Sequence, residues 1–375
     1  MIRRVLMTAD TVGGVWTYAL ELCRALERRG VEVALATMGK LRDPNQAAEV
    51  AGLPGLQVYE SGYRLEWMSE PWRDVDAAGA WLLDLERRVA PDVVHLNGYA
   101  HAILPFAAPV VVVGHSCVLS WWRAVKGVAA PLDWAPYYER VSRGLRAADL
   151  VVTPTAAMLR WLEDLYAPLQ QARVIPNSRR AELFPPRAKE PFVLAAGRLW
   201  DEAKNVGALA RVAPRLPWPV RVAGDRTAPE GETQRLESLH SLGRLAPPEL
   251  AAWLGRAAIY SLPARYEPFG LSVLEAALAG CALVLGDVES LRELWEGCAL
   301  FVPADDDALE EAVDRLIRDA AQRRRLARQA RRRALEFTPE RMVEGYLQAY
   351  REAEAPRRRA PLPLPPPYPE RFLAG

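Results

Sequence analysis

Short apolar runs, each followed by a glycine- or proline-bearing loop and then an amphipathic stretch, recur along the chain. Residues 5–7 are apolar, and the loop after them carries Gly13 and Gly14. Over 16–29, Tyr18, Leu22 and Leu26 fall on one face with Ala19 and Cys23, the period of a helix. Gly30 can close that helix, and 31–37 alternates as a second strand. The unit returns later: a strand over 192–196, a loop from Gly197, a helix over 205–216 and a strand over 219–223. Further apolar runs lie at 92–96, 110–113, 150–152, 258–262, 282–285 and 299–302. Runs apolar throughout suit strands buried on both faces, and strands alternating with helices imply parallel sheets. The pattern predicts an α/β chain of two doubly wound, Rossmann-like domains, with a boundary within 176–191 and ligands at the carboxyl ends of strands. Residues 309–336 read as one or two helices. Thr338 and Pro339 then open a last helix, and the final twenty residues hold seven prolines, suiting an extended tail.

Composition narrows the function classes. The 375 residues suit two domains, and 48 basic against 47 acidic side chains exclude a general nucleic-acid binder. The apolar stretch 102–114 is too short for a bilayer and holds two prolines. No signal-peptide pattern opens the chain. Cys23, Cys117, Cys281 and Cys298 sit singly, as reduced cysteines of a cytoplasmic protein would, and no metal site is expected of them. Seven arginines between Arg323 and Arg333 could meet anionic lipid, but a solvated helix face is the preferred reading. The chain has four lysines against 44 arginines. Lys204 stands in a promising loop, while Lys40, Lys126 and Lys189 read as incidental.

Two loops carry the chemistry. After the strand at 258–262, Glu267-Pro268-Phe269-Gly270-Leu271 turns into a helix that carries Glu275. The amides of Phe269, Gly270 and Leu271 are expected to be free at that helix N-terminus, where a phosphate is favoured. Glu267 and Glu275 can accept from polyol hydroxyls. After the strand at 192–196, Arg198 and Lys204 offer a guanidinium fork and a mobile ammonium. Asp305, Asp306 and Asp307 precede a helix and read as capping rather than metal ligands. His95 is balanced between structural and functional readings. Trp121 and Trp122 follow His115 closely and are the first aromatics to test for acceptor binding, although a single tryptophan is more often core.

These residues resemble glycosyltransferase family 4, retaining enzymes of the GT-B fold. Glu267 to Glu275 matches the family's E-x7-E signature, and Gly197-Arg198-Leu199 through Lys204 resembles its phosphate segment with one extra residue between Arg and Lys. Gly13 and Gly14 resemble its first glycine loop, and His115 stands where the family has a sugar-contacting histidine. The resemblance implies two Rossmann-like domains facing a central cleft: an acceptor domain over 1–178, a donor domain over 179–337, and a terminal helix with tail over 338–375 that crosses back to the first. It implies a UDP- or GDP-sugar as co-substrate and no cofactor or metal. Arg198 and Lys204 would hold the diphosphate, Glu267 the sugar, Glu275 the ribose, and Leu245 would lie near the base. His115, Arg198, Lys204 and Glu267 form the implied catalytic set. The implied chemistry is front-face attack with retention, the leaving phosphate taking the acceptor proton. A sugar phosphorylase or sugar-nucleotide epimerase of the same fold is the alternative, and a non-catalytic sugar-nucleotide-binding protein is more remote. A dehydrogenase lacks support, because the first loop has no G-x-G-x-x-G. The acceptor, the oligomeric state and peripheral membrane contact stay open.

Overall fold

The alternating apolar runs form strands of two separate parallel sheets. The computed structural model describes residues 2–228, 231, 233–234, 236–354 and 368, so the proline-rich tail apart from Tyr368 lies outside the described residues. The chain divides into two compact units, Met1–Asn177 with Pro339–Gly375, and Ser178–Thr338. The first contains β1 (Arg4–Asp10), β2 (Glu32–Met38), β3 (Leu56–Glu60), β4 (Val93–Leu96), β5 (Val110–Val113), β6 (Leu150–Thr153) and β7 (Ala172–Val174). The second contains β8 (Glu190–Ala196), β9 (Val220–Ala223), β10 (His240–Ser241), β11 (Ala257–Leu262), β12 (Ala282–Gly286) and β13 (Ala299–Val302). The orders are β3-β2-β1-β4-β5-β6-β7 and β10-β9-β8-β11-β12-β13. Each sheet grows outward for three strands and then resumes on the other side of its first strand. The crevices therefore open at the carboxyl ends of β1 and β4, and of β8 and β11.

Central strands follow the apolar runs closely, because both faces are covered by helices. The sequence pattern misses β3, β7 and β10. These strands are short, lie at or near a sheet edge and are largely exposed, so their residues need not be apolar. The first helix runs Gly14–Glu27 instead of 16–29, and the Gly13 carbonyl accepts from the Trp16 amide. The helix expected over 205–216 is shorter, Val206–Val212. Asn205 is left-handed at φ 51°, and Pro214 supports only a 3-10 turn afterwards.

The last helix, Pro339–Ala353, packs within the first unit. Tyr346 and Tyr350 on it are fully buried, and the Tyr350 hydroxyl lies 2.7 Å from His95 Nδ1. Arg29 pairs with Glu344 and Arg173 with Glu352 at its surface. Among the described residues, no helix is long and apolar enough to cross a membrane.

Two sequence expectations need correction, for one physical reason: helix C-termini present carbonyls that cations satisfy. The arginine cluster on the helix Ala320–Ala334 is not simply a solvated face. Arg323 donates to the carbonyls of Leu316 and Ile317, Arg331 to Leu278 and Arg333 to Leu294. Nor is Lys189 incidental. Its stem is exposed, but Nζ donates to the carbonyls of Leu254, Gly255 and Ala279 at 3.3, 2.8 and 2.7 Å. It thus closes the ends of two helices, Pro247–Arg256 and Leu271–Leu278. An ammonium has three donors in a tetrahedral spread, which a planar guanidinium cannot match at three converging carbonyls. Burial of the ammonium lowers its pKa. Lys189→Met is expected to lower unfolding stability by about 1–2 kcal/mol, read from urea midpoints, and Lys189→Arg should recover only part of it.

Candidate functional site

At the switch point of the second sheet, β8 and β11 lie side by side with Leu194 opposite Tyr260. Each strand ends in one of the two chemistry-bearing loops. The Gly197 loop is drawn together by Asp201, a buried carboxylate that accepts from Arg198 at 2.8 Å and from the Ala203 amide at 3.0 Å. The Arg198 guanidinium also sits 5.4 Å from the Trp200 ring centroid. The two loops are stitched together: the Arg265 amide donates to Ala203 O at 2.8 Å, and Asn205 Nδ2 to Pro263 O at 3.1 Å. The result is an ion pair between loops, Lys204 Nζ to Glu267 Oε2 at 2.6 Å, with both side chains largely shielded from solvent. Ser290 Oγ donates to the Glu267 carbonyl and fixes the backbone at that carboxylate.

Gly270 begins the helix Leu271–Leu278 at φ 84°, a left-handed turn that a β-carbon would strain, and no side chain caps it. The helix N-terminus follows the carboxyl end of β11, where the crevice opens. One expected amide is not free: Phe269 N donates to Glu267 Oε1 at 3.3 Å. Glu275, within this helix, is 7% exposed, and its Oε1 lies 2.8 Å from Arg179 Nε. Leu245 lies in the turn between β10 and the helix Pro247–Arg256. That turn is anchored to the end of β9 by Leu242 N to Val222 O and by Gly224 N to Gly243 O, each 2.8 Å. Asp305 caps the helix Asp306–Arg318 through the Ala308 amide, while Asp306 and Asp307 pair with Arg211 and Arg215. Among the described residues no cluster of three metal-ligating side chains occurs.

In the first unit the glycine loop leaves β1, and Asp10 accepts from the amides of Val12 and Gly13 at 2.9 and 3.0 Å. Gly14 opens the helix that follows. His115 comes just after β5, half-buried, edge-on to Tyr18 and 2.8 Å from Asn97 Oδ1. Burial, and secondarily His95, push its pKa down to about 3. Burial brings His95 to about 4. His95 is thus a core residue, wedged between Tyr18 and Tyr350. Trp121 and Trp122 stand edge-to-face on the helix Val118–Lys126, half-buried, with Lys126 Nζ 5.7 and 6.0 Å from their centroids. Lys126 is therefore not incidental either. Asp10, Asn97, Arg179 and Asp201 escape sequence reasoning. Only Asp201, three residues after Arg198, carried a local signal.

Residues 12–181 match the family model described as Glycosyltransferase Family 4, and residues 190–319 match the model Glycosyl transferases group 1. The chain is 30% identical over 320 residues to a glycogen synthase of Mycobacterium tuberculosis, covering 75% of this chain and 74% of that protein. It is 28% identical to a D-inositol 3-phosphate glycosyltransferase of Xylanimonas cellulosilytica, over 92% and 93% of the two chains. Among solved structures, a sucrose-phosphate synthase from Thermosynechococcus elongatus superposes with TM-score 0.78 at 20% identity, over 93% of this chain and 98% of that one. Anabaena HepE in complex with UDP and glucose gives 0.73 at 15% identity, over 92% and 99%.

Two measurements follow from this geometry. The folded rings of His95 and His115 are neutral, whereas an unfolded histidine titrates near pH 6.5. Their contribution to stability is therefore complete above about pH 6.5 and is lost as pH falls towards the folded values, at up to about 1.4 kcal/mol per pH unit for each ring. Urea midpoints at pH 7.5 and 5.0 should differ in that direction, and His95→Gln should shrink the difference. Separately, a β-carbon on Gly224 would stand 1.8 Å from the Gly197 carbonyl, so Gly224→Ala should lower the midpoint sharply. Gly207 lies within a helix and meets only the flexible end of Arg211, so Gly207→Ala should raise stability by about 0.5–1 kcal/mol.

Proposed function

The chain belongs to glycosyltransferase family 4 and is a nucleotide-sugar-dependent glycosyltransferase, and from that premise we propose that its second unit binds the diphosphate of a UDP- or GDP-sugar at the β8/β11 crevice for transfer, with retention, to a hydroxyl acceptor. The observation that carries this reading is the Lys204–Glu267 pair beside the uncapped helix N-terminus at Gly270. A shielded ammonium held by a carboxylate is pre-positioned: the side-chain entropy of a long lysine is spent in folding, not in binding. When a diphosphate arrives, Lys204 can share its charge with a phosphate oxygen while Glu267 accepts from sugar hydroxyls. Arg198, tied down by Asp201 and Trp200, supplies the second cation. The choice of UDP as a first donor to test follows the Anabaena neighbour's complex.

Departure of the nucleoside diphosphate concentrates negative charge on the phosphate. Fixed cations and a helix N-terminus stabilise that charge more in the transition state than in the ground state. The anomeric carbon becomes cation-like, and the acceptor hydroxyl attacks from the face that the phosphate leaves. Its proton passes to the departing phosphate oxygen, so no side-chain base is required. Phosphate contacts also fall to the amides of Gly270 and Leu271. Glu275, oriented by Arg179, serves the ribose, and Leu245 lies towards the base. The family resemblance assigns Gly13, Gly14 and His115 of the first unit to sugar contacts, and Trp121 and Trp122, which follow His115 closely in sequence, are the first aromatics to test for the acceptor. No bound metal is needed for this charge balance.

The test is release of nucleoside diphosphate from UDP-glucose and other UDP- and GDP-sugars, with and without candidate acceptors, in the presence of EDTA. Acceptor-dependent release and a product of unchanged anomeric configuration are expected; release indifferent to every acceptor would sink the transferase reading. Lys204→Ala and Glu267→Gln should each lower kcat/KM by about a hundredfold to a thousandfold, with far-UV circular dichroism unchanged. Wild-type rates in both variants would remove them from the site.

A further inference from the structure

We infer that Asn97 positions His115, fixing its ring proton on Nε2 so that Nδ1 stays a bare acceptor for a ligand hydroxyl. The inference rests on the reading of His115 as a site residue. Asn97 follows β4, at the point where the first sheet reverses its order. Its Nδ2 is 2.6 Å from the backbone carbonyl of Thr8 on β1, and its backbone amide donates to Thr8 Oγ1 at 2.8 Å. A carbonyl oxygen can only accept. The NH2 end of the Asn97 amide must therefore face Thr8, and the Oδ1 end must face the other way.

Oδ1 in turn can only accept, and two histidines meet it: His115 Nε2 at 2.8 Å and His95 Nε2 at 3.2 Å. Its two lone pairs take one N–H from each ring. The arrangement continues behind His95, whose Nδ1 then accepts from the Tyr350 hydroxyl at 2.7 Å. A line of hydrogen bonds therefore runs from the C-terminal helix through His95 and Asn97 to His115. Burial keeps both rings neutral, so each carries a single N–H. With that proton committed to Asn97, His115 has no donor left at Nδ1.

The chemical consequence is selective. A ligand group that meets His115 Nδ1 must bring its own hydrogen, as a sugar hydroxyl does. A phosphate or carboxylate oxygen there would face lone pair against lone pair. His115 is therefore a hydroxyl reader and not a proton donor to the leaving group, and Asn97 is the residue that makes it one.

Histidine 15N spectra of the full chain at pH 7.5 test this directly, since four histidines can be assigned by single His→Gln variants. His115 is expected to show a protonated, pyrrole-type Nε2 and an unprotonated, pyridine-type Nδ1. Asn97→Leu, which removes the acceptor, should move the proton partly or wholly to Nδ1. Asn97→Asp, which still accepts, should keep it on Nε2. A wild-type His115 protonated on Nδ1 overturns the proposal even if the variants fail to fold, and so does an Asn97→Leu spectrum with the tautomer unchanged. The site reading is tested apart from this, by turnover of UDP-glucose in His115→Ala. Full turnover there rejects the role of His115 and leaves the tautomer assignment to the spectra.

Discussion

The parallel pairing of β8 with β11 is the contact on which the candidate site depends. The two strands are separated by two helices and the strands β9 and β10, yet their residues pair directly. Both end at the same level, so the loops that follow are delivered to one place. The Lys204–Glu267 pair joins positions 63 residues apart and is possible only because of that register. The paired residues Val193, Leu194, Ile259 and Tyr260 are apolar and buried, so register is enforced by the core and not by the charges themselves.

The helix Leu271–Leu278 is treated differently at its two ends. Its N-terminus is left uncapped by side chains beside a shielded ammonium, while its C-terminal carbonyls are met by Lys189 and Arg331. Satisfying one end with permanent cations leaves the other end available for a ligand, at no cost in unsatisfied carbonyls. The chain stays near neutrality because its 48 basic residues are matched by 47 acidic ones. Several of its cations face acidic partners or helix ends.

In the first unit the same economy of position is seen with polar groups. Thr8, Asn97, His95 and Tyr350 connect a central strand to the last helix of the chain through hydrogen bonds. Burying neutral histidines is tolerated because each ring nitrogen that faces the core finds a partner. The last helix is thereby part of this unit's interior.

The central strands, their order of appearance and the two loops bearing Arg198, Lys204, Glu267 and Glu275 were legible in the sequence. Buried parallel strands must be apolar throughout, and phosphate chemistry needs cations and glycine turns just after them. The edge strands β3, β7 and β10 were not, because a strand with an exposed face carries no such constraint. Asn97, Arg179 and Lys189 were equally silent. What makes them matter is a partner tens of residues away, and a single side chain shows no periodicity. Composition and pattern determined which elements form and where chemistry could sit. Only the tertiary structure decided which amide of the Gly270 turn is taken by Glu267, which carboxylate is bound by which cation, and which nitrogen of His115 faces Asn97. Those choices depend on distances of a few ångströms set by packing, which the order of residues along the chain does not encode locally.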